Sequence, residues 1–377
     1  MTTFTQESNT PPQPLRTIWR NAQANKIMVL NQTLLPHEVK VETLINVKDI
    51  YTAIKEMIVR GAPLIGATAA YGVYYAFRDN RDLQGVMQDV DYLRSSRPTA
   101  VNLFWAIDQV LAATQTANTL EEKAILALAA ADKIVEDDIE TCRMIGVHGL
   151  PILQAIAEKK KAQGLDPRIN ILTHCNAGML GCIRWGTISS PIYQAKALGL
   201  DVHVWVDETR PRNQGANLTA FEMGQHNIPH TLIVDNTGGL LMQNGMVDLV
   251  IVGTDRTTRK GDVANKIGTY LKALAAKDNN IPFYVALPST TLDWTISDGL
   301  REIPIEERSQ DEVRYTVGKT ASGSIEPVLI CPETTPALNY GFDITPARLV
   351  TGGFITERGV CQASEAGLLS LFPEQKI

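Results

Sequence analysis

The sequence INILTHCNAG, residues 169–178, opens an alternation of strand-like and helix-like segments that runs to FYVAL at Phe283–Leu287. Its short apolar runs are rich in β-branched residues, and the segments between most of them carry apolar residues at helical spacing. Short apolar strands joined by amphipathic helices predict right-handed βαβ crossovers and a parallel sheet covered on both faces. The predicted strands are Ile169–Thr173, Val202–Val206, Thr231–Val234, Leu249–Val252 and Phe283–Leu287, and the predicted helices are Ile188–Leu198, Leu218–His226 and Val263–Lys277.

The region before this alternation has a different pattern. After short extended candidates at Thr17–Trp19 and Lys26–Leu30, apolar positions recur at helical spacing to about residue 160. The lysine-rich Glu158–Lys161, followed by Gly164 and Pro167, indicates a helix terminus and a boundary loop. The sequence therefore predicts an α/β protein. Its parts are a disordered tail over 1–14, a small helix-rich N-terminal domain over 15–160, and a doubly wound, mainly parallel, Rossmann-like catalytic domain over 161–377.

The composition is that of an ordinary globular protein, with 44% hydrophobic and 20% charged residues among 377. The 35 Lys and Arg against 41 Asp and Glu leave a net charge of −6, which argues against non-specific binding to nucleic acid or to an anionic membrane. Five cysteines without a CxxC pair indicate reduced thiols, and the polar start lacks the apolar stretch of a secretory signal. No apolar run approaches the roughly 20 residues that span a bilayer, so we expect a cytoplasmic protein.

Polar and reactive side chains follow the predicted strands. His174–Gly178 follows the first strand, Asp207–Arg210 the second, Asp235 and Asn236 the third, and Gly253–Arg256 the fourth. In a doubly wound sheet the ligand binds beyond the carboxyl ends of the strands. We therefore expect the functional site at this edge of the sheet.

Familiar cofactor signatures are missing from the sequence. It contains no GxxxxGK[ST] and no GxGxxG after a strand, which leaves nucleoside triphosphate and dinucleotide binding unsupported. Its six histidines and five cysteines lack zinc spacing, and no GxSxG marks a hydrolase elbow. The expectation is a site that uses no metal and no cofactor.

Cys175 is the first candidate for chemistry. It leaves a predicted strand, a glycine-containing turn follows, and a helix is predicted soon after. A thiol at a helix N-terminus has a stabilised thiolate and a lowered pKa, which suits proton transfer or nucleophilic attack. A small buried apolar side chain explains a cysteine at a strand end equally well, so both interpretations stay open.

Asp255 is the second candidate. The apolar strand before it predicts partial burial, which raises the pKa of a carboxyl group towards that of a useful general acid. An Asp after a strand more often caps the next helix or makes a turn, although Thr254 or Asp262 could cap instead. A thiol and a carboxyl group at neighbouring strand ends could together move protons without a metal.

Three basic segments could bind a phosphate group. In Arg60–Ala62 a guanidinium precedes a glycine, where backbone N–H groups can approach an anion, and Arg97 adds a second cation. Asn265 and Lys266 lie near the start of a predicted helix, whose dipole and free N–H groups favour negative charge. Each cation alone is more simply explained as a surface charge, so the argument depends on their occurring together.

Six longer motifs follow one another along the chain. They are RGAPLIG (Arg60–Gly66), SRPTAVNL (Ser96–Leu103), LTHCNAG (Leu172–Gly178), VDETRPRNQGANLT (Val206–Thr219), VGTDR (Val252–Arg256) and GDVANKIGTY (Gly261–Tyr270). Their order resembles that in methylthioribose-1-phosphate isomerases, and the resemblance extends from about Trp19 to the closing ITERGV at Ile355–Val360. The same fold is shared by regulatory subunits of the eukaryotic translation-initiation exchange factor and by archaeal ribose-1,5-bisphosphate isomerases.

The resemblance implies an aldose–ketose isomerase of methionine salvage, which converts 5-methylthioribose 1-phosphate into 5-methylthioribulose 1-phosphate. It implies that Asp255 is the acid/base, that Cys175 is the second catalytic group, and that the protein is a homodimer. The hydrogen moves between carbons 2 and 1 as a proton or as a hydride, and the sequence does not choose between them. The implied substrate-binding residues are Arg60, Gly61, Ala62, Arg97, Gln214, Asn265 and Lys266.

Two other functions stay open at this point. One is the isomerisation of a related sugar phosphate, 5-deoxyribose 1-phosphate or ribose 1,5-bisphosphate, and the other is a non-catalytic binding subunit of the translation-factor type. The chain departs from the common family pattern at Asn31, Leu64, Gly181 and Thr254. These changes leave every implied catalytic residue in place, but the last two could reshape the pocket.

Overall fold

The computed structural model describes residues 16–21, 23, 25–98 and 100–376. The tail predicted over residues 1–14 lies outside the described residues. The chain has the predicted α/β fold, with a helix-rich N-terminal region followed by a mainly parallel central sheet. In the described part of the chain, no helix combines the length and the apolar character needed to cross a membrane.

The N-terminal region is an antiparallel sheet followed by helices. Its elements are β1 (Ile18–Asn21), β2 (Lys26–Leu30), β3 (Val41–Leu44), α1 (Val47–Lys55), α2 (Ala62–Asp79), α3 (Leu83–Arg94), α4 (Val101–Ala113) and α5 (Leu120–Ala162). Helix α2 is buried on every side from Leu64 to Phe77, and α1, α3, α4 and α5 pack around it. An all-round apolar helix is stable only where neighbours cover it, so α2 is the centre of this region.

Helix α5 connects the two regions of the molecule. It spans 43 residues, about 64 Å at 1.5 Å per residue. It begins at a capping box in which Thr119 and Glu122 satisfy each other's backbone N–H groups. Lys159–Lys161 lie in its last turn, where the helix dipole favours positive charge. One end of α5 packs against α2, and the other end packs beside the central sheet.

From residue 169 onward the chain alternates strands with shorter helices. In chain order these elements are β4 (Ile169–Thr173), α6 (Ser189–Ala197), β5 (Val202–Asp207), α7 (Ala220–Gln225), β6 (His230–Ile233), α8 (Thr237–Gln243), β7 (Leu249–Val252), β8 (Arg256–Thr258), β9 (Val263–Lys266), α9 (Thr269–Asp278), β10 (Phe283–Ala286), β11 (Leu292–Asp293), α10 (Gly299–Glu302), α11 (Asp311–Arg314), β12 (Tyr315–Lys319), β13 (Ile325–Leu329), β14 (Phe342–Thr345), β15 (Gly353–Thr356), β16 (Gly359–Cys361) and α12 (Glu365–Leu371).

The described residues form a central sheet of seven strands in the order β16–β15–β10–β7–β4–β5–β6. Its neighbouring strands pair in parallel, except for the antiparallel pair β15–β16. The chain runs outward from β4 through β5 to β6, and then continues on the other side of β4 with β7, β10 and β15. The connections that leave β4 and β7 therefore diverge, which creates the switch point where doubly wound sheets bind ligands.

Apolar layers cover both faces of this sheet. One layer joins the sheet to α5, α6 and α7 through residues such as Leu153, Ile192 and Met223. The other joins it to α8, α9 and α12 through residues such as Ala273 and Leu368. Each fully buried Leu, Ile or Met side chain stabilises the fold by roughly 1.5–3 kcal/mol relative to an exposed one. The strand ends at the switch point are therefore held by a rigid core.

The described residues also form a smaller mixed sheet with the strand order β11–β8–β9–β14. Its strand β8 is the next strand after β7 in the chain. The predicted helix Val263–Lys277 is wrong over its first residues, because Val263–Lys266 is strand β9 and α9 begins at Thr269. Strand β9 is buried throughout and pairs with both β8 and β14, so sheet pairing outweighs the helical spacing. Gly268, with φ of +104°, makes the turn into α9. The other predicted strands and helices agree within about two residues at each end.

Candidate active site

Two adjoining cavities open at the switch point between β4 and β7. The smaller spans about 440 Å³ and the larger about 880 Å³, both including space that is open to solvent. Both are lined by Arg60, Gly61, Ala62, Cys175 and Asp255, so they are compartments of one site. The ends of β4 and β7 supply the thiol and the carboxyl group, and the start of α2 supplies the arginine segment.

The other residues predicted for the site line the same cavities. Asn265 faces the smaller cavity, whereas Arg97, Gln214 and Lys266 face the larger one. The structure thus brings every predicted site residue to one place, from both regions of the chain. Their individual roles stay predictions.

Cys175 is held in an uncommon backbone conformation just beyond the end of β4. Its φ is +66°, in the left-handed region that costs a non-glycine residue on the order of 1–2 kcal/mol. The N–H of Cys175 donates to Thr209 Oγ1 at 2.8 Å, and Thr219 Oγ1 donates to the Cys175 carbonyl oxygen at 2.7 Å. These hydrogen bonds fix the residue from both sides at the cavity wall.

Burial raises the pKa of the Cys175 thiol above its ordinary value, although the charges of Arg60 and Lys266 act in the opposite direction. The prediction of a pKa lowered by a helix N-terminus is therefore wrong. Its physical premise fails because Met179–Gly181 forms only a short 3₁₀ turn, and α6 does not begin until Ser189. Cys175 is consequently a thiol, not a thiolate, at neutral pH.

Asp255 directly follows the buried strand β7 and is only partly exposed. Burial raises the pKa of its carboxyl group, while the charges of Lys266, Arg60 and Arg97 oppose this. The raised pKa agrees with the direction predicted from the apolar strand. Because strand β8 follows instead of a helix, the alternative interpretation of Asp255 as a helix cap is wrong. Its negative charge also raises the pKa of Cys175, as expected for two groups that line the same cavities.

Arg60 and Gly61 form the turn before α2. Gly61 has φ of +96°, and a Cβ there would lie 2.2 Å from the carbonyl oxygen of Gly181, so only glycine fits. Arg60 Nη1 donates to the carbonyl oxygen of Asn176 at 2.8 Å and to its Oδ1 at 2.7 Å. The first turn of α2 contains Pro63 and has no side-chain cap. The positive end of the helix dipole is therefore available to an anion in the cavity.

Gly181 is one of the positions that departs from the common family pattern. A Cβ at this position would lie 3.1 Å from the Asn176 carbonyl oxygen and 3.3 Å from Arg60 Nη1. The glycine therefore leaves the Arg60 guanidinium slightly more room than an alanine would. At the other departure beside the site, Thr254 Oγ1 donates to the carbonyl oxygen of Ala264 at 3.1 Å. That hydrogen bond ties the end of β7 to β9.

Asn265 and Lys266 lie on strand β9, not at a helix N-terminus. They are 5% and 8% exposed. Asn265 Nδ2 donates to Thr269 Oγ1 at 2.9 Å, and Lys266 Nζ lies 5.3 Å from the ring centroid of Phe342. Burial lowers the pKa of Lys266, although the thiol and the carboxyl group of the cavity act against this. Any anion binding by these residues must come from their side chains and not from a helix dipole.

Arg97 and Gln214 complete the larger cavity. Arg97 Nη2 lies 3.4 Å from Glu306 Oε2, and burial lowers the pKa of Arg97 while that carboxylate opposes the effect. Gln214 Oε1 is buried and has no hydrogen-bond partner among the described residues. An unsatisfied buried acceptor of this kind fits a ligand hydroxyl. Reasoning from the residues alone missed Gln214, because a glutamine in a loop carries no periodic signal, and only the family resemblance identified it.

Glu222 on α7 is a residue that sequence reasoning missed altogether. Its buried carboxylate accepts hydrogen bonds from Asn176 Nδ2 at 3.0 Å and from the N–H groups of Met179 and Leu180 at 3.0 and 2.7 Å. Tyr193 also donates to it, at 3.2 Å. Burial raises the pKa of Glu222, and these donors counteract it. Glu222 therefore holds the loop that follows Cys175, and an acid on the inward face of a predicted helix was the signal available for it.

The sequence of this chain is similar to the sequences of a known protein family. A model of the family described as "Initiation factor 2 subunit family" matches residues 58–363. A methylthioribose-1-phosphate isomerase of Paramagnetospirillum magneticum is 55% identical over 362 residues, which cover 96% of this chain and 98% of that protein. Another protein of the same name, from Desulfosudis oleivorans, is 52% identical over 97% of this chain and 99% of its own length.

Solved structures give the same picture. The crystal structure of 5-methylthioribose 1-phosphate isomerase from Pyrococcus horikoshii OT3 is similar with a TM-score of 0.81 and 37% identity, covering 98% of this chain and 100% of that one. The structure titled translation initiation factor eIF-2B, subunit delta, from A. fulgidus is similar with a TM-score of 0.78 and 37% identity, covering 95% and 99%. The fold is therefore shared by proteins named as enzymes and by proteins named as translation factors.

Proposed function

This chain belongs to the initiation factor 2 subunit family, and we propose that it is a methylthioribose-1-phosphate isomerase of methionine salvage. The reaction converts 5-methylthioribose 1-phosphate into 5-methylthioribulose 1-phosphate, an aldose–ketose isomerisation. Relatives that carry this name cover 96% and 97% of the chain.

One observation carries the proposal. A carboxyl group and a thiol, Asp255 and Cys175, line the same two cavities, and burial raises the pKa of both. The three cations predicted to bind the phosphate, Arg60, Arg97 and Lys266, also line the larger cavity. An acid whose raised pKa favours the protonated form, beside positive charge for a phosphate, is what the isomerisation of a ring-closed sugar phosphate requires.

The larger cavity offers contacts for both ends of the substrate. Arg60, Arg97 and Lys266 supply positive charge for the phosphate, and burial strengthens charge-assisted hydrogen bonds to it. Apolar side chains in the same lining would contact the methylthio group, which needs a water-free surface. They are Met57, Ile65, Val101, Ile303 and Phe342.

The first chemical step is ring opening. The phosphate ester at carbon 1 prevents spontaneous opening to a free aldehyde, so the ring oxygen must be protonated as its bond to carbon 1 breaks. Asp255 is the proposed donor, because burial raises the pKa of its carboxyl group and so favours the protonated form. Opening leaves positive charge at carbon 1, stabilised by the ester oxygen, and an Asp255 carboxylate.

The second step moves one hydrogen from carbon 2 to carbon 1. In the hydride route the hydrogen moves with its electron pair, and the 2-hydroxyl then loses its proton to the Asp255 carboxylate to give the ketone. In the proton route Cys175 first gives its proton to the Asp255 carboxylate, and the thiolate then takes the proton from carbon 2 to leave an enol. Cys175 returns that proton at carbon 1 and recovers its own proton from the 2-hydroxyl as the ketone forms. The raised pKa of Cys175 makes that ionisation costly and favours the hydride route, with the thiol lying against the reacting carbons.

The test is a substrate panel in deuterated water. The purified protein should turn over 5-methylthioribose 1-phosphate fastest, 5-deoxyribose 1-phosphate more slowly because it lacks the apolar tail, and ribose 1,5-bisphosphate least. A hydride shift leaves carbon 1 free of solvent deuterium, whereas deuterium at carbon 1 would establish the proton route. A folded protein that isomerises none of the three sugar phosphates would contradict the proposal.

A non-catalytic translation-factor role is the second candidate, because the eIF-2B-titled structure matches this chain at 37% identity, the same as the isomerase structure. A binding scaffold has no physical need of a buried acid, a buried thiol and three cations around one cavity. The substrate panel separates the two functions, since a scaffold would turn over none of the sugars.

We infer the cellular compartment of the protein from its free cysteines, and its oligomeric state from the family resemblance. All five cysteines are free, which fits a reducing compartment such as the cytoplasm. A homodimer is proposed from the family resemblance, and light scattering coupled to size-exclusion chromatography tests it. A mass equal to one 41.3 kDa chain would exclude the dimer.

A further inference from the structure

His174, the residue before Cys175, connects three elements of the site. Its Nδ1 lies 3.0 Å from Asp207 Oδ2 at the end of β5, and its Nε2 lies 2.8 Å from the carbonyl oxygen of Ile267, between β9 and α9. The side chain is 1% exposed and belongs to the lining of the smaller cavity. The mechanism described above makes no use of it.

Both partners of His174 are hydrogen-bond acceptors. The Ile267 oxygen is a carbonyl, and the same Asp207 oxygen already accepts from Lys272 Nζ, which lies 3.1 Å away. A neutral imidazole has a single N–H and can donate to only one of two such acceptors. Because a buried unsatisfied partner would cost about 1–3 kcal/mol, both nitrogens must carry hydrogen.

We propose that His174 is held as a doubly protonated imidazolium and acts as a positioning residue for the isomerase reaction. One N–H fixes the end of β4, which carries Cys175, to β5. The other fixes it to the residue that follows Lys266. The imidazolium thereby sets the distance between the thiol and the phosphate-binding strand β9. This part of the inference rests on the proposed function.

The charges around His174 suit a cation. Besides Asp207, Asp235 Oδ1 lies 3.8 Å from His174 Nδ1, and Lys272 is the nearby positive group. Asp343 faces the cluster from β14, where it accepts hydrogen bonds from the N–H groups of Gly268 and Tyr270. Three carboxyl groups thus face a single ammonium, and the imidazolium supplies a second positive charge.

Backbone packing leaves no room for the ring to move. A Cβ at Gly268 would lie 3.0 Å from His174 Nε2, so the glycine permits the ring to reach the Ile267 carbonyl. Asp207 Oδ1 has no hydrogen-bond partner among the described residues, so His174 and Lys272 both contact Asp207 through Oδ2. The ring is held at both nitrogens. Because Cys175 is the next residue in the chain, the fixed position of the ring restricts the position of Cys175.

Two substitutions separate the two hydrogen bonds. The amide nitrogen of Asn overlays Nδ1, so His174→Asn keeps the bond to Asp207 and loses the bond to Ile267. The amide nitrogen of Gln overlays Nε2, so His174→Gln does the reverse. We expect His174→Asn to raise KM about 10-fold by loosening β9, and His174→Gln to lower kcat about 10- to 100-fold by misplacing Cys175. His203→Asn, on the opposite end of β5, is the matched control and should keep wild-type kinetics.

Nitrogen NMR of protein labelled at histidine provides a readout that does not depend on activity. Protonated signals from both ring nitrogens of His174 at neutral pH, assigned by their loss in His174→Gln, support the imidazolium. A single protonated nitrogen would overturn it, and unchanged kcat and KM in both folded variants would overturn the positioning role. If the wild-type protein isomerises no sugar phosphate, the proposed function fails, while the NMR result still decides the protonation of His174.

Discussion

The helix-rich region, residues 16–162, and the sheet region, residues 169–376, contribute different chemistry to the same cavities. The first supplies Arg60, Arg97 and the N-terminus of α2, all of which attract negative charge. The second supplies Asp255 and Cys175 at strand ends, where burial raises the pKa of both. Under the proposed function, anchoring and chemistry are largely divided between the two regions.

The difference has a physical origin. Arg60 and Arg97 lie in the segments before α2 and α4, where their long side chains reach the larger cavity, and a helix N-terminus carries partial positive charge. Strand ends in a doubly wound sheet emerge from a dry core, so ionisable groups there are desolvated and their pKa values move. Lys266 and Arg256 are exceptions, since they are cations of the sheet region that line the larger cavity, and both lie on the smaller sheet. The comparison predicts that mutations of Asp255 and Cys175 change mainly kcat, and that mutations of Arg60 and Arg97 change mainly KM.

The largest expected effect is that of Asp255→Asn. Removing the proton donor should lower kcat by about 1,000-fold, within the 10²–10⁴ range of general acid catalysis, with KM changed little. Asp278→Asn is the matched control, because Asp278 is exposed at the end of α9. Steady-state kinetics of both variants, with circular dichroism to verify folding, provide the measurement. If a folded Asp255→Asn protein kept kcat within 10-fold of wild type, Asp255 would not be the general acid. The proposed difference between the two regions would then be wrong.

Cys175→Ser should have the second largest effect. Serine keeps the shape and a hydroxyl, but its proton is harder to remove and its oxygen is less polarisable, so we expect kcat to fall about 100-fold. Cys331→Ser is the matched control, because Cys331 lines neither cavity. The kcat values of the two serine variants show whether Cys175 takes part in catalysis. Equal activity in both would mean that Cys175 is a packing residue, the alternative that its position at a strand end also allows.

Arg97→Gln tests the other half of the comparison. Losing one charge-assisted hydrogen bond to the phosphate, worth about 1.5–3 kcal/mol, should raise KM about 10-fold or more while kcat stays within about 3-fold. Arg94→Gln is the control, since Arg94 pairs with the exposed Asp108 at 2.6 Å and lines neither cavity. A fall in kcat as large as that of Cys175→Ser would show that the helix-rich region takes part in the chemistry, not only in anchoring.

Much of the fold could be predicted, because strands such as Ile169–Thr173 and Leu249–Val252 are short, apolar and evenly spaced. The rule that ligands bind beyond parallel strand ends then identifies Cys175 and Asp255 as candidates without any family resemblance. Strand β9 could not be predicted, because its helical spacing is overridden by pairing with β14, which lies far along the chain. Local pattern decides an element only where tertiary contacts do not compete.

The supporting residues of the site were harder to predict than the reactive ones. Glu222 and His174 act through hydrogen bonds to backbone groups on other elements, and no spacing in the sequence encodes such contacts. The pKa of Cys175 was predicted in the wrong direction for the same reason. Whether a helix begins at the turn after the strand depends on how the loop folds, and here Glu222 holds that loop in an irregular form.

The smallest expected effect is on stability, and its sign follows from burial. The pKa of Asp255 is raised in the folded protein, so folding favours the protonated form, and this contribution is lost as pH rises from the unfolded pKa through the folded one. Asn cannot ionise, so Asp255→Asn should melt about 1–2 °C above wild type at pH 8, with a smaller difference at pH 5. Differential scanning calorimetry at both values, with Asp278→Asn as the control, measures this. A lower melting temperature for Asp255→Asn at pH 8 would mean that Lys266, Arg60 and Arg97 stabilise the carboxylate, and that the sheet region holds an anion instead of an acid.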